Sequence, residues 1–518
     1  MQPDSAALSL RLEAVKQQSI EDAVAALLET LEQLADAGLP AAQLVPLLEL
    51  IRTALPGEIT RLSKAYYADR PLPLAPPERA MLLQMQSLFG NLSDLYWMCC
   101  QQFEREPDSE SRNLNLAGSL QRCVHALVSR MIEDFRARQV IEPGLWLALH
   151  RMIDKASDLG LNTLAVPDGL NPSGASGVTT TYGRAVLLAS AQAGAMTPRT
   201  LDATLALTGI LEPYIDCSWQ SGQAVAETSS VQATGRLRVL RAAGMIHLLN
   251  NTRLAGALLS CSQKLAAGEP VASLDVLPIS RSEVAGLLAR LHRVWCGTGE
   301  IRSAERTRTE ESAVVASGFY AIYRLASGEL FSIPHPFHVY ATNIRPGEDV
   351  AAKRAELADS GEAAGWRILD RSGEGLRAAR PSGEARLARG YLMGIRVEAE
   401  GKLIEFALGE VRWVQEDAAS QSPTVSAGIK LLPGRVHHAV MCGRGGMDGG
   451  QYQDVVPVFL LEQIAAPKLI VPNGWWQPGR TVEVWQNGRV SKLTMDELVL
   501  GTVDFEAGRF SVEKAGRL

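Results

Sequence analysis

The spacing of apolar residues changes its period once along this chain, near residue 312, and that change decides what the chain can fold into. Before it, apolar positions recur every three to four residues, which places them on one face of a helix. In "SIEDAVAALLETLEQLADAGL" Val24, Leu27, Leu28 and Leu31 form such a stripe. Ser19 stands at the N-cap, Glu21 and Asp22 occupy the first turn, and Gly38 lies near the end. "PPERAMLLQMQSLFGNLSDLYWMCCQQFERE" repeats the pattern with a proline start, and "LNLAGSLQRCVHALVSRMIEDFRARQV" and "EPGLWLALHRMIDKASDLGL" follow. Short breaks between amphipathic stripes predict an antiparallel helical array. Residues 171–183, "NPSGASGVTTTYG", are small and polar and predict a loop. "GRAVLLASAQAGAM" and "TPRTLDATLALTGILEPYI" return to helix, "TGRLRVLRAAGMIHLLN" fits a short hairpin or another helix, and "SRSEVAGLLARLHRVWCG" is a helix ending at Gly297.

After residue 312 the runs are short, β-branched or aromatic, and broken by glycine. "SAVVASGFYAIYRLASGELFSI", "GYLMGIRVE", "LIEFALGEVRWVQ" and "VSAGIKLL" predict strands at close spacing, the pattern of a small barrel or sandwich. "RVHHAVMCGRGGMDGGQYQD" reads as a glycine-rich connector, and six further short strands follow it between "VVPVFLL" and "RFSV".

Composition narrows the function classes. The 518 residues carry a net charge of −6 and a pI near 5.9, a poor prior for a general DNA, RNA or anionic-membrane binder. Seven cysteines with no CxxC pattern suit reduced, buried thiols. No apolar run reaches the ~18 residues of a membrane span, and the first residues show no basic region ahead of an apolar core. A cytoplasmic protein is the expectation.

Two polar segments stand out against the strands. "EIRSAERTRTEESAVV" places Arg302, Arg306 and Arg308 just before the first strand. "GWRILDRSGEGLRAARP" interrupts two apolar strands with Asp370, Ser372, Gly373 and Gly375. An RxxxR at a barrel entrance (Arg302 to Arg306) followed by DxSxxG (Asp370 to Gly375) resembles the PilZ domain, a bacterial receptor family for cyclic di-GMP. The downstream "GYLMGI", "ALGEVRWV" and "SAGIKLL" share that texture, so the resemblance covers about residues 298–435. It implies a six-stranded antiparallel β-barrel that binds cyclic di-GMP through Arg302, Arg306, Asp370, Ser372 and Gly375, with Arg308 as an alternative member of the arginine pair. The residue types suit that ligand. Arginine stacks on a base, pairs with phosphate or forks onto guanine O6 and N7. A carboxylate accepts from guanine N1 and N2, serine holds the turn or the ligand, and glycine admits close approach. Arg306 and Asp370 stand farther apart than in the compact form of the family. The excess, "IPHPFHVYATNIRPGEDVAAKRAELADSGEAAG", reads as a loop and a short inserted helix. Taken alone, the arginine run also fits a solvated linker and the DxSxxG an ordinary hairpin turn.

Other candidates carry less. His335, His338, His437, His438 and Cys442 offer no complete metal-ligand set in sequence, so no metal is expected. "GRGGMDGG" matches no phosphate-loop pattern. Trp475 and Trp476 fit a strand end with at least one buried ring, Trp413 the barrel core, and Cys99 with Cys100 helix packing. No set of residues assembles into a catalytic site, and no cofactor is expected.

The fold expected is α+β and multidomain: a helical domain over 1–170, a second mainly helical region over 184–297, a PilZ-like barrel over 298–435 and a C-terminal β-rich module over 450–518, itself a candidate degenerate barrel. The function expected is a non-enzymatic cyclic di-GMP sensor or adaptor that reports to an unidentified protein partner. The resemblance implies motility, surface polysaccharide or pili control. The alternative is a structural interaction protein whose barrel no longer binds nucleotide. Helical arrays with apolar faces often form homo-oligomers, and the sequence fixes no stoichiometry.

Overall fold

The structure, a computed structural model, describes residues 5–67, 70–221, 231–232, 236–240, 245–271, 274–275, 277–296, 307–309, 311–338, 364–383, 385–399, 402–444, 453–463 and 466–513. The chain forms two compact units, one of Met1–Arg70 with Leu74–Arg302, the other of Pro71–Pro73 with Ser303–Leu518. The architecture is α+β: helices first, then two closed six-stranded antiparallel barrels.

The described residues of the first unit hold α1 (Ser5–Val15), α2 (Ile20–Asp36), α3 (Ala41–Leu62), α4 (Pro76–Phe103), α5 (Glu110–Arg136), α6 (Pro143–Asp158), α7 (Val178–Ser190), α8 (Pro198–Leu211), α9 (Thr252–Ala266) and α10 (Arg281–Cys296). The helix grammar holds at atomic level. Ser19 Oγ accepts from Asp22 N at 3.1 Å, and Val24, Leu27 and Leu31 are buried. Pro76 opens α4, where Glu78 Oε2 accepts from Ala75 N at 2.7 Å. Among the described residues no helix is long and apolar enough to cross a membrane.

The small-residue stretch 171–183 is only partly a loop. It turns at Gly174 (φ +75°), pairs as β2 (Ala175–Gly177) with β1 (Ala165–Pro167), and enters α7 at Val178. Its threonines are used in the interior. Arg52 lies between Glu49 (Nε–Oε1 3.0 Å) and Asp168 (Nη2–Oδ1 2.9 Å), Arg122 reaches the same two carboxylates, and Gln121 bridges Asp168 to Thr181 Oγ1. Burial drives the Asp168 carboxyl up, but the charges of Arg122 and Arg52 outweigh it and hold the group below its ordinary range. After β3 (Asp216–Ser221) and β4 (Val231–Gln232), the ambiguous 234–250 segment resolves as strands β5 (Arg236–Leu240) and β6 (Met245–Asn250), and the four form a sheet in the order β3-β6-β5-β4.

The second unit begins with β7 (Thr307–Arg308) and β8 (Ser312–Ser317), which lie along the same edge of β9 (Ala364–Ser372). Between β8 and β9 comes α11 (Phe319–Ser327), where the sequence predicts more strand. Its aromatic and β-branched residues favour strands, but Phe319, Ile322 and Tyr323 fall on one helical face and Gly318 (φ +82°) ends β8. The first barrel adds β10 (Gly375–Pro381), β11 (Leu392–Ala399), β12 (Lys402–Asp417) and β13 (Thr424–Leu431), closed in the order β8-β9-β10-β13-β12-β11.

The second barrel contains β14 (Arg435–Arg444), β15 (Gln453–Glu462), β16 (Lys468–Pro472), β17 (Thr481–Gln486), β18 (Arg489–Gly501) and β19 (Phe505–Val512). It closes in the order β14-β15-β16-β19-β18-β17. Counted from the first strand of each barrel, both orders read one, two, three, six, five, four. The supposed connector at 435–444 is therefore a strand, with Ala439 to Cys442 buried. Trp475 and Trp476 are 6% and 7% exposed and fill the second barrel's interior with Met441, Val458 and Leu469. The helix α11 is wedged in the seam between the barrels. Ile322 and Phe319 pack there with Leu392 and Leu408 of the first barrel and Val440, Phe459 and Ile470 of the second. The backbone of β11 passes so close that a Cβ on Gly394 would lie 2.8 Å from Ile322 Cγ2.

Candidate ligand-binding site

The hairpin β9–β10 carries the DxSxxG segment. Ser372 Oγ donates to Gly375 O at 3.2 Å and ties the turn to the next strand. Gly375 serves the packing of that strand: a Cβ there would sit 2.5 Å from Ile429 O on β13. The glycine of the motif thus brings two strands together.

Two β-bulges decide what the outer wall displays. Along β9, Trp366 and Ile368 are buried inside, and strict alternation would send Asp370 inward as well. The register shifts between the Arg377–Asp370 and Ala378–Ile368 pairs, and Asp370 turns outward beside Arg377. Along β12, Val411 and Val414 are fully buried, and a second shift between Val411 and Trp413 turns Trp413 outward. Trp413 is therefore not core, as its sequence context predicts, but a half-buried ring on the outer wall.

The result is one cross-strand row. Arg308 pairs with Asp370, Asp370 with Arg377, Arg377 with Gly428, and Gly428 with Trp413. Gly428 leaves room for the indole to lie across it: a Cβ there would be 2.1 Å from Trp413 Nε1. The exposed Arg377 guanidinium is 5.9 Å from the centre of that ring. A second arginine of β10 behaves differently. Arg380 is 8% exposed, sits 5.4 Å from the Trp366 ring and donates to Ala385 O. Its position inside the barrel removes it from the outer wall. The row thus offers a carboxylate between two guanidiniums, with a flat aromatic surface at one end.

Of the residues singled out by sequence, Arg308, Asp370, Ser372 and Gly375 come together on β7, β9 and β10. Arg302 and Arg306 lie outside the described residues, as does most of the inserted loop and helix, 339–363. Sequence reasoning missed Arg377 and Trp413. Arg377 stands two residues after Gly375, a spacing that puts it on the same face, and only strand pairing reveals its neighbour. The histidine candidates are dispersed: His437 pairs with Glu462 at 3.1 Å and His438 meets Tyr323 edge-on. Among the described residues no group of three His, Cys, Asp or Glu is placed to hold a metal ion. The Cys99 thiol, deep in the helical unit, is pushed up to about 12 by burial, which keeps it protonated and inert.

Residues 6–221 match a family model described as the N-terminal domain of the cyclic-di-GMP receptor FimW. The match covers the greater part of the helical unit and stops before either barrel. No curated protein matches the chain.

Proposed function

We propose that the chain is a cyclic di-GMP receptor of the PilZ type and that the outer wall of its first barrel is the binding site. The observation that carries this reading is the bulge-built row Arg308, Asp370, Arg377 and Trp413. The similarity of residues 6–221 to the N-terminal domain of a cyclic-di-GMP receptor supports it independently, because that similarity involves none of these residues. Asp370 accepts from the Watson–Crick edge of a guanine, Arg377 and Trp413 cover a base face, and Arg308 with Arg302 and Arg306 pairs with phosphate. Ser372 and Gly375 hold the turn that presents Asp370. A receptor of this kind performs no chemistry on its ligand; it changes what a protein partner sees. Control of pili, motility or surface polysaccharide is the output class implied by the PilZ resemblance.

The test is calorimetric titration of the full chain with cyclic di-GMP, with GTP as control. Saturable binding that Asp370→Ala and Arg377→Ala each weaken by about tenfold or more, near 1.4 kcal/mol, is the expected result. A folded wild-type protein that gives no heat at high ligand concentration refutes the reading and leaves the barrel as scaffold.

A further inference from the structure

Next to the Asp370 row, on the same outer wall, runs a second one that no sequence motif announces. Ser372 pairs with Gly375, Gly375 with Lys430, and Lys430 with Glu410. Its members on β9, β10 and β13 each stand two residues from a member of the first row, so the rows are about 6.8 Å apart there, while on β12 the bulge puts Glu410 three residues from Trp413. Gly375 is buried and packs its backbone closely on β13, so no side chain stands between Ser372 and Lys430 across strands spaced about 4.8 Å apart. Lys430 is exposed, and among the described residues no carboxylate pairs with it. Its cross-strand neighbour Glu410 is 6% exposed, and both of its oxygens accept from Arg412 Nη1, at 2.9 and 3.1 Å. An exposed ammonium whose cross-strand carboxylate is engaged by Arg412 suits an anionic oxygen. On the other flank, Arg367 stands beside Ala379 and away from the Ser372 turn.

The geometry points to Lys430 as a further phosphate contact of the bound dinucleotide, so that Asp370, Arg377 and Trp413 recognise bases while Lys430 shares the phosphodiester charge with Arg308. This rests on the nucleotide reading of the same wall. Lysine acts here as a point charge, so its contribution falls with salt, whereas stacking and carboxylate–base bonds depend on salt less.

The experiment titrates cyclic di-GMP into wild type, Lys430→Met, Lys430→Arg, Arg367→Met and Asp370→Ala at low and high salt, with circular dichroism confirming the fold of each. Lys430→Met is expected to weaken binding about tenfold at low salt and to flatten the salt dependence, with Lys430→Arg restoring most of both. Arg367→Met is expected to stay within about twofold. Wild-type binding that Asp370→Ala weakens and Lys430→Met leaves unchanged overturns the assignment of Lys430 alone. So does a loss on Arg367→Met without one on Lys430→Met. A wild type that binds nothing overturns both this inference and the nucleotide reading beneath it.

Discussion

In both barrels the second, third, sixth and fifth strands carry an outward cross-strand row. In the first barrel it consists of Asp370, Arg377, Gly428 and Trp413; in the second, of Phe459, Ile470, Ala507 and Leu500. The strand order is the same, and the fate of the wall is opposite. The first row is polar and faces outward, whereas the second packs into the seam around α11, with Phe459 5.7 Å from Phe319 between ring centres. A closed barrel pairs most of its hydrogen-bonding edges, so its wall interacts mainly through side chains. Polar and charged side chains with a flat ring suit the first wall to the ligand proposed for it, and apolar ones pack the second wall into the seam around α11.

Substituting matched positions breaks this comparison most directly. Phe459→Ala removes a fully buried ring and is expected to destabilise the barrel unit by about 3–5 kcal/mol. Asp370→Ala, in the first row, is expected to change stability by about 1 kcal/mol or less and to weaken ligand binding about tenfold or more. Thermal melts beside titrations read both quantities. If Asp370→Ala proves as destabilising as Phe459→Ala, the first row is structural and the contrast fails.

The glycine–tryptophan pairs sharpen the same contrast. Gly508 lies under Trp476, where a Cβ would be 2.2 Å from the ring and 2.5 Å from Glu497 O, inside a filled core. Gly508→Ala is expected to cost about 1–3 kcal/mol by overpacking. Gly428→Ala pushes on Trp413, whose ring is only partly buried and lies on the outer wall rather than in a filled core. Its stability cost is expected to be smaller, with ligand affinity falling because the aromatic end of the row has moved. Trp413→Ala is expected to lower affinity by about 1–2 kcal/mol, the scale of one base stacked on a ring, with little change in melting temperature. Equal melting shifts for the two glycine substitutions would mean that both tryptophans are core.

Most of the helices and the turn to strands after residue 312 were legible in the sequence because the period of the apolar positions marks them. Val24, Leu27 and Leu31 line one face of α2 as their spacing requires. The arginine and DxSxxG segments also marked the wall on which Arg308, Asp370 and Ser372 meet. What stayed hidden followed from single-residue events. A period-two reading from Ile368 and Val411 sends Asp370 and Trp413 inward, and one extra residue in each strand reverses both. No local signal in "EVRWV" announces that bulge. Arg377 was hidden for another reason: its partner across the strands is a glycine, and the ring filling the space belongs to a third strand. The α11 helix was masked by residues whose intrinsic preference is for strands, and tertiary packing in the seam overrides that preference. The Arg52–Asp168–Gln121–Thr181 network joins residues so far apart in sequence that no window could pair them.

The smallest expected effect tests how the two barrels are joined. Asp504, in the turn before β19, accepts from Leu392 N at the start of β11 at 2.8 Å. Burial raises its carboxyl above the ordinary carboxylate range, and the bond from Leu392 lowers it only in part. The folded chain therefore holds this proton more tightly than the unfolded chain does. The stabilisation is fully present below an unfolded value of about 3.9 and is lost as pH rises toward the raised folded value. Asp504→Asn keeps an acceptor for Leu392 N and removes the charge. Asp134, a buried carboxyl of the helical unit pushed up to about 7 by burial, gives a slope of the same sign in wild type and variant alike. The informative quantity is the difference between their melting curves from about pH 4 to about pH 7. Asp504→Asn is expected to be less pH-sensitive in that window and, at neutral pH, more stable by under ~1 kcal/mol. Identical curves would show that the carboxylate is solvated at the seam. The apolar wall of the second barrel and α11 would then hold the two barrels together without it.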